Sequence, residues 1–67
     1  MDRQTQFREM VEKYSADLYR YGLALSRNRT QAEDLVQETF LRAWRRLETL
    51  REREKAKGWL MTTLRRE

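Results

Sequence analysis

Apolar residues recur early in the chain at Phe7, Val11, Tyr14, Leu18, Tyr21 and Leu25. The steps alternate between four and three, which keeps them on one side of a helix with about 3.6 residues per turn. Asp2 or Thr5 is placed to cap its start. Gly22 falls inside this pattern, where a glycine costs about 1 kcal/mol against alanine. Close approach of a neighbouring helix is the expected reason for it. A polar turn follows, Ser26-Arg27-Asn28-Arg29-Thr30. Thr30-Gln31-Ala32-Glu33 then has the form of a capping box, with Glu33 three residues past the threonine. The apolar period resumes at once through Ala32, Leu35, Val36, Thr39, Phe40, Ala43, Leu47 and Leu50, predicting a second helix across all of them. Arg51-Glu52-Arg53-Glu54-Lys55 carries no helix-period apolar residue and reads as a loop or frayed turn. Ala56, Trp59, Leu60, Thr63 and Leu64 mark the inner face of a last helix. It reaches Glu67 without a glycine cap and so looks cut short, as if the chain were an excised domain.

Composition strengthens the helical reading. Val11 and Val36 are the chain's β-branched aliphatics, too few for a sheet. Alanine, leucine, glutamate, glutamine, lysine and arginine dominate, and these favour helix. The fold class expected is all-α, a small bundle of three or four helices forming one domain over residues 1–67. A domain of this size buries only about 60% of its unfolded surface. It therefore needs closely packed helices or a partner.

Composition also removes most chemistry. There is no Cys, His or Pro, and glycine occurs only at Gly22 and Gly58. Disulfides, thiolate metal sites, an imidazole base and a glycine-rich phosphate loop are excluded. Glu33 and Asp34 diverge on a helix, and Glu52 and Glu54 lie among arginines, so no catalytic set converges. No enzyme activity, metal or cofactor is called for. The opening MDRQTQFREM has no apolar signal core. No apolar run approaches the roughly 18 residues of a membrane span. A soluble, cytoplasmic protein is the expectation.

Charge is unevenly distributed. The net is +4, yet residues 31–41 carry Glu33, Asp34 and Glu38 with no cation, and residues 42–67 hold most of the basic excess. On a wheel of about 100° per residue, Leu41 points away from the core face of the second helix. Asp34, Gln37, Glu38 and Arg45 surround it. Two readings stand there: a solvated face with one stray leucine, or a docking face whose leucine is ringed by carboxylates. On the last helix, Gly58, Met61, Thr62 and Arg65 face outward, flanked by Lys57 and Arg66. With Arg51, Arg53 and Lys55 they make a basic strip suited to phosphates, or simply a charged solvent face. Trp59 is in phase with Leu60 and Thr63, which favours the core over a base platform. Trp44 sits at the core edge and Tyr19 off the stripe.

Ala32-Glu33-Asp34-Leu35-Val36-Gln37-Glu38-Thr39-Phe40-Leu41-Arg42-Ala43-Trp44 resembles the most characteristic segment of bacterial sigma factors. Lys57-Gly58-Trp59-Leu60-Met61-Thr62-Thr63-Leu64-Arg65-Arg66 is similar to the promoter-binding helix that follows it, and Phe7 to Asn28 to the helix that precedes it. The pattern is closest to the second conserved domain of the extracytoplasmic-function group. That resemblance implies docking of the 31–47 helix on the clamp helices of the largest RNA polymerase subunit. Asp34, Gln37, Glu38 and Leu41 are the residues so assigned, with Arg45 beside them on the wheel. It also implies recognition and melting of the minus-ten promoter element, with an extruded base of the non-template strand held beside the loop. Arg51, Lys55, Lys57, Trp59, Thr62, Arg65 and Arg66 are the DNA-binding candidates. The resemblance further implies an anti-sigma factor as partner, and a linker and a C-terminal helix-turn-helix domain that this chain lacks. The rival reading is a helical protein-interaction module, held by such an inhibitor, with no DNA binding of its own. A generic basic DNA-binding helical domain is a third.

Overall fold

The computed structural model of the chain describes residues 2–50 and 52–66. Helix α1 runs Arg3–Ser26, α2 runs Arg29–Arg45, a 3-10 turn covers Leu47–Leu50, and α3 runs Arg53–Arg66. The all-α expectation holds for the described residues. The long dimension, 36 Å, is the length of α1, whose 24 residues rise about 1.5 Å each.

Helix α1 begins at Asp2, whose carboxylate accepts the Thr5 amide at 2.8 Å. That bond, the largest cause, holds the Asp2 carboxyl below its usual value. The helix ends at Arg27, which adopts the left-handed conformation (φ 57°) and donates its amide to the Leu23 carbonyl at 2.7 Å. A side chain in that region costs about 1 kcal/mol. The turn it makes places Asn28 in extended backbone, from which its side chain accepts the Gln31 amide at 3.0 Å.

Asn28 therefore caps α2, and the expected Thr30–Glu33 capping box is not used. Both residues lie inside the helix. The two-residue link, Arg27 and Asn28, folds α1 and α2 into an antiparallel hairpin. Gly22 is buried at the crossing. A β-carbon on it would lie 3.5 Å from the Ala32 carbonyl oxygen and 3.7 Å from the Ala32 methyl.

The second helix also stops earlier than its apolar period predicts. The Arg46 amide is shared between the carbonyls of Arg42 (3.2 Å) and Ala43 (3.1 Å). Thr49 then bonds the Arg46 carbonyl with both its amide (3.0 Å) and its hydroxyl (2.7 Å). The chain tightens into the 3-10 turn, where residues three apart eclipse. Leu47 and Leu50 thus face the core together. The Arg51–Lys55 segment, expected as a loop, is helical from Arg53 onward. The amides of Lys55 and Ala56 both reach the Glu52 carbonyl at 3.1 Å, closing the first turn of α3.

The core joins Met10, Tyr14 and Leu18 of α1 to Phe40 and Ala43 of α2, Leu47 and Leu50 of the turn, and Ala56, Leu60 and Leu64 of α3. Phe7 meets the rings of Phe40 and Trp44 edge-on, at centroid distances of 6.2 and 5.2 Å. Thr39 is fully buried and donates its hydroxyl to the Leu35 carbonyl at 2.7 Å. Leu25 departs from its stripe and is 49% exposed. It lies past the Gly22–Ala32 crossing, where it lines an open groove instead of the core.

Candidate protein-docking face and nucleic-acid interface

Leu41 is 55% exposed, in a helix whose opposite side is buried through Ala32, Thr39 and Ala43. Asp34, Gln37 and Arg45 are exposed around it. Glu38 is half-buried and pairs with Arg42 at 3.6 Å across one helical turn. The outward face expected for α2 is therefore present. Beside it opens a groove of about 640 Å³ between the end of α1, the start of α2 and the end of α3. Leu25, Leu35 and Leu64 line it together with Asp34, Glu38 and Arg65. Apolar walls with carboxylates suit a partner that offers an apolar side chain flanked by cations.

The basic strip is not one surface. Lys57 turns toward α1, where its amine lies 3.8 Å from Asp17, a carboxylate that also holds Arg20 at 2.6 Å. Lys55 pairs with Glu52 at 3.5 Å. Arg65 lines the acidic groove. Thr62 is half-buried, and Arg51 lies outside the described residues.

Among the described residues of the expected DNA set, Trp59 and Arg66 come together. They line a second cleft of about 400 Å³ with Arg42, Arg45, Arg46 and Thr63. Several guanidiniums thus surround an indole and a hydroxyl. Trp59 packs against the core with one part and lines this cleft with another, so its core phase and a stacking role coexist. Arg42 and Arg46 escaped the sequence reading. Their signal is spacing: positions 42, 45 and 46 share one side of a helix. Arg45, expected at the docking face, stands at the border and lines the cleft as well.

The described residues hold no cluster of acidic, His or Cys side chains fit for a metal. Among them no helix is long and apolar enough to cross a membrane. The described residues of α2 thus present an apolar-acidic face on one half and border an arginine cleft on the other.

That division meets a family match. The family described as Sigma-70 region 2 covers residues 10–67. The chain belongs to this family. It is 42% identical over 59 residues to the ECF RNA polymerase sigma factor SigL of Mycobacterium tuberculosis, covering 87% of the chain and 33% of that relative. It is 37% identical over 57 residues to the ECF RNA polymerase sigma factor SigM of Bacillus subtilis, covering 85% of the chain and 34% of that relative. The sigma-70 region 2 chain thus spans about a third of the length of these curated relatives. No solved structure matches it.

Proposed function

We propose that this domain acts in transcription initiation, joining RNA polymerase core to promoter DNA. The outer face of α2, with Leu41 among Asp34, Gln37 and Glu38, docks on the clamp helices of the largest polymerase subunit. The arginine cleft, lined by Arg42, Arg45, Arg46, Trp59, Thr63 and Arg66, engages the non-template strand of the minus-ten element and favours its melting; Lys55, Lys57, Thr62 and Arg65, expected from the sequence, lie outside that lining. Arg51 joins this set from the sequence alone. Such a role calls for binding and no catalytic step, and it places the protein in the cytoplasm with the chromosome.

The observation that carries the proposal is Leu41, a leucine 55% exposed on the outer side of α2 among Asp34, Gln37 and Glu38. Energetics make the two halves interdependent. Extruding a base costs a few kcal/mol, and stacking one base on an aromatic returns about 1–3 kcal/mol. The cleft alone comes near to balance. Attachment to polymerase supplies the surplus by holding the strand at high effective concentration.

A second reading has support in the pairing of Lys55 with Glu52 and Lys57 with Asp17. Cations engaged internally fit a module that binds only protein, such as an anti-sigma factor. A mobility-shift assay with single-stranded minus-ten oligonucleotide, with and without polymerase core, separates the two. Retarded DNA that weakens with salt supports the first. Binding to core but never to DNA leaves only the second.

A further inference from the structure

The first turns of α1 hold the far end of α2. The Arg3 guanidinium donates to the Trp44 carbonyl at 2.7 Å and lies 4.6 Å from the centre of the Trp44 ring. One turn on, the Gln6 side-chain amide donates to the Leu47 carbonyl at 3.2 Å. Both contacts bridge 41 positions of sequence. The Trp44 carbonyl lies in the last turn of α2, where carbonyls have no partner within the helix, and the Leu47 carbonyl opens the 3-10 turn that follows. Phe7 closes the same corner through its edge-on contact with Trp44. Arg3 and Gln6 lie outside the segment, 10–67, that matches the family.

The corner they grip has a specific output. Arg45 and Arg46, the cations next to Trp44 in sequence, line the arginine cleft. Helix α3, which begins three residues after the end of the 3-10 turn, supplies Trp59 and Arg66 to that cleft. We propose that Arg3 and Gln6 are positioning residues: they latch the end of α2 to α1 and so fix the spacing between the arginines of α2 and the indole of α3. Neither lines the cleft. The inference rests on the DNA-binding reading of that cleft, and its first readout does not need DNA.

The test compares wild type with Gln6→Ala, which leaves charge unchanged, and with Arg3→Gln/Gln6→Ala. Amide exchange is followed at Arg46 and Thr49, whose amides are bonded within the corner. The amides of Leu18 and Leu60 serve as reference. A surface hydrogen bond and an exposed cation–π contact each shift a local equilibrium about fivefold. Exchange at Arg46 and Thr49 should rise about fivefold in the single variant and more than tenfold in the double, with Leu18 and Leu60 within about twofold. Affinity for a single-stranded minus-ten oligonucleotide should fall in step for Gln6→Ala, and Arg3→Lys should retain most of it by keeping a donor and a cation.

Unchanged exchange at the corner overturns the latch. A uniform rise at all four amides also overturns it, since that is general destabilisation. Local opening with undiminished oligonucleotide affinity overturns the positioning role. If wild type binds no oligonucleotide with or without polymerase core, the DNA reading fails, and the exchange comparison alone decides whether the latch exists.

Discussion

Leu41→Ala separates docking from folding, because the side chain is divided almost evenly between protein and water. Fully burying a leucine gains about 1.5–3 kcal/mol. Leu41 keeps 55% of its surface in solvent, so a partner that covers it gains about 1–1.5 kcal/mol from this side chain. That corresponds to roughly a five- to fifteenfold change in dissociation constant. The cost to the fold is about 1 kcal/mol of lost packing at most, offset in part because alanine is the better helix former. The melting temperature should fall by no more than about 8 °C. Binding of the variant to polymerase core, or to a peptide of its clamp helices, is measured by fluorescence polarisation with wild type alongside. Loss of affinity with a melt within that range is the expected result. Equal affinity would sink the docking role of this face, and loss of affinity together with unfolding would show that Leu41 belongs to the core. Leu47→Ala is the contrast: that leucine is 1% exposed and its truncation should cost about 2–5 kcal/mol.

Further outcomes test other parts of the structure. Oligonucleotide affinity should fall with salt by about 0.7 log units per log salt for each phosphate held, and Arg46→Gln should flatten that slope by about one phosphate; an unchanged slope removes Arg46 from the interface. Gly22→Ala should raise stability by about 1 kcal/mol in a denaturant titration, since the added methyl meets Ala32 at contact distance, and a loss would mean the helices cross closer than described. Asn28→Ala should cost about 1 kcal/mol whereas Thr30→Ala should be close to neutral, the reverse of what a Thr30–Glu33 capping box requires. The depressed Asp2 carboxyl contributes stability above its unfolded value of 3.8 and loses it as pH falls through the lower folded value; Asp2→Asn should therefore lessen the decline of melting temperature below about pH 4, and an identical decline in both proteins would refute the cap.

Most of the helical content was legible along the chain, because helix period is a local property. Spacing of three and four, good helix formers and few β-branched residues announced all three helices. The outward direction of Leu41 followed from the same arithmetic. Ends were less legible. Asn28 caps α2 only because Arg27 turns left-handed before it, a conformation that side chains resist and that nothing local in Arg27 announces. Leu47 and Leu50 keep helical phase with Phe40 and Ala43 on paper, yet a 3-10 turn delivers them to the same core by a tighter path.

What the sequence by itself determined was the class of the fold, the apolar faces and the segregation of acidic from basic residues, since each depends on near neighbours. What only the tertiary structure decided was which cations work together. Lys57 goes to Asp17, Arg65 to the acidic groove, and Trp59 with Arg66 to the arginines of α2, although all belong to one short helix. The reason is that helix packing sets which neighbouring helix each position of α3 faces, so Lys57 meets an opposite charge whereas Arg66 is brought among like charges.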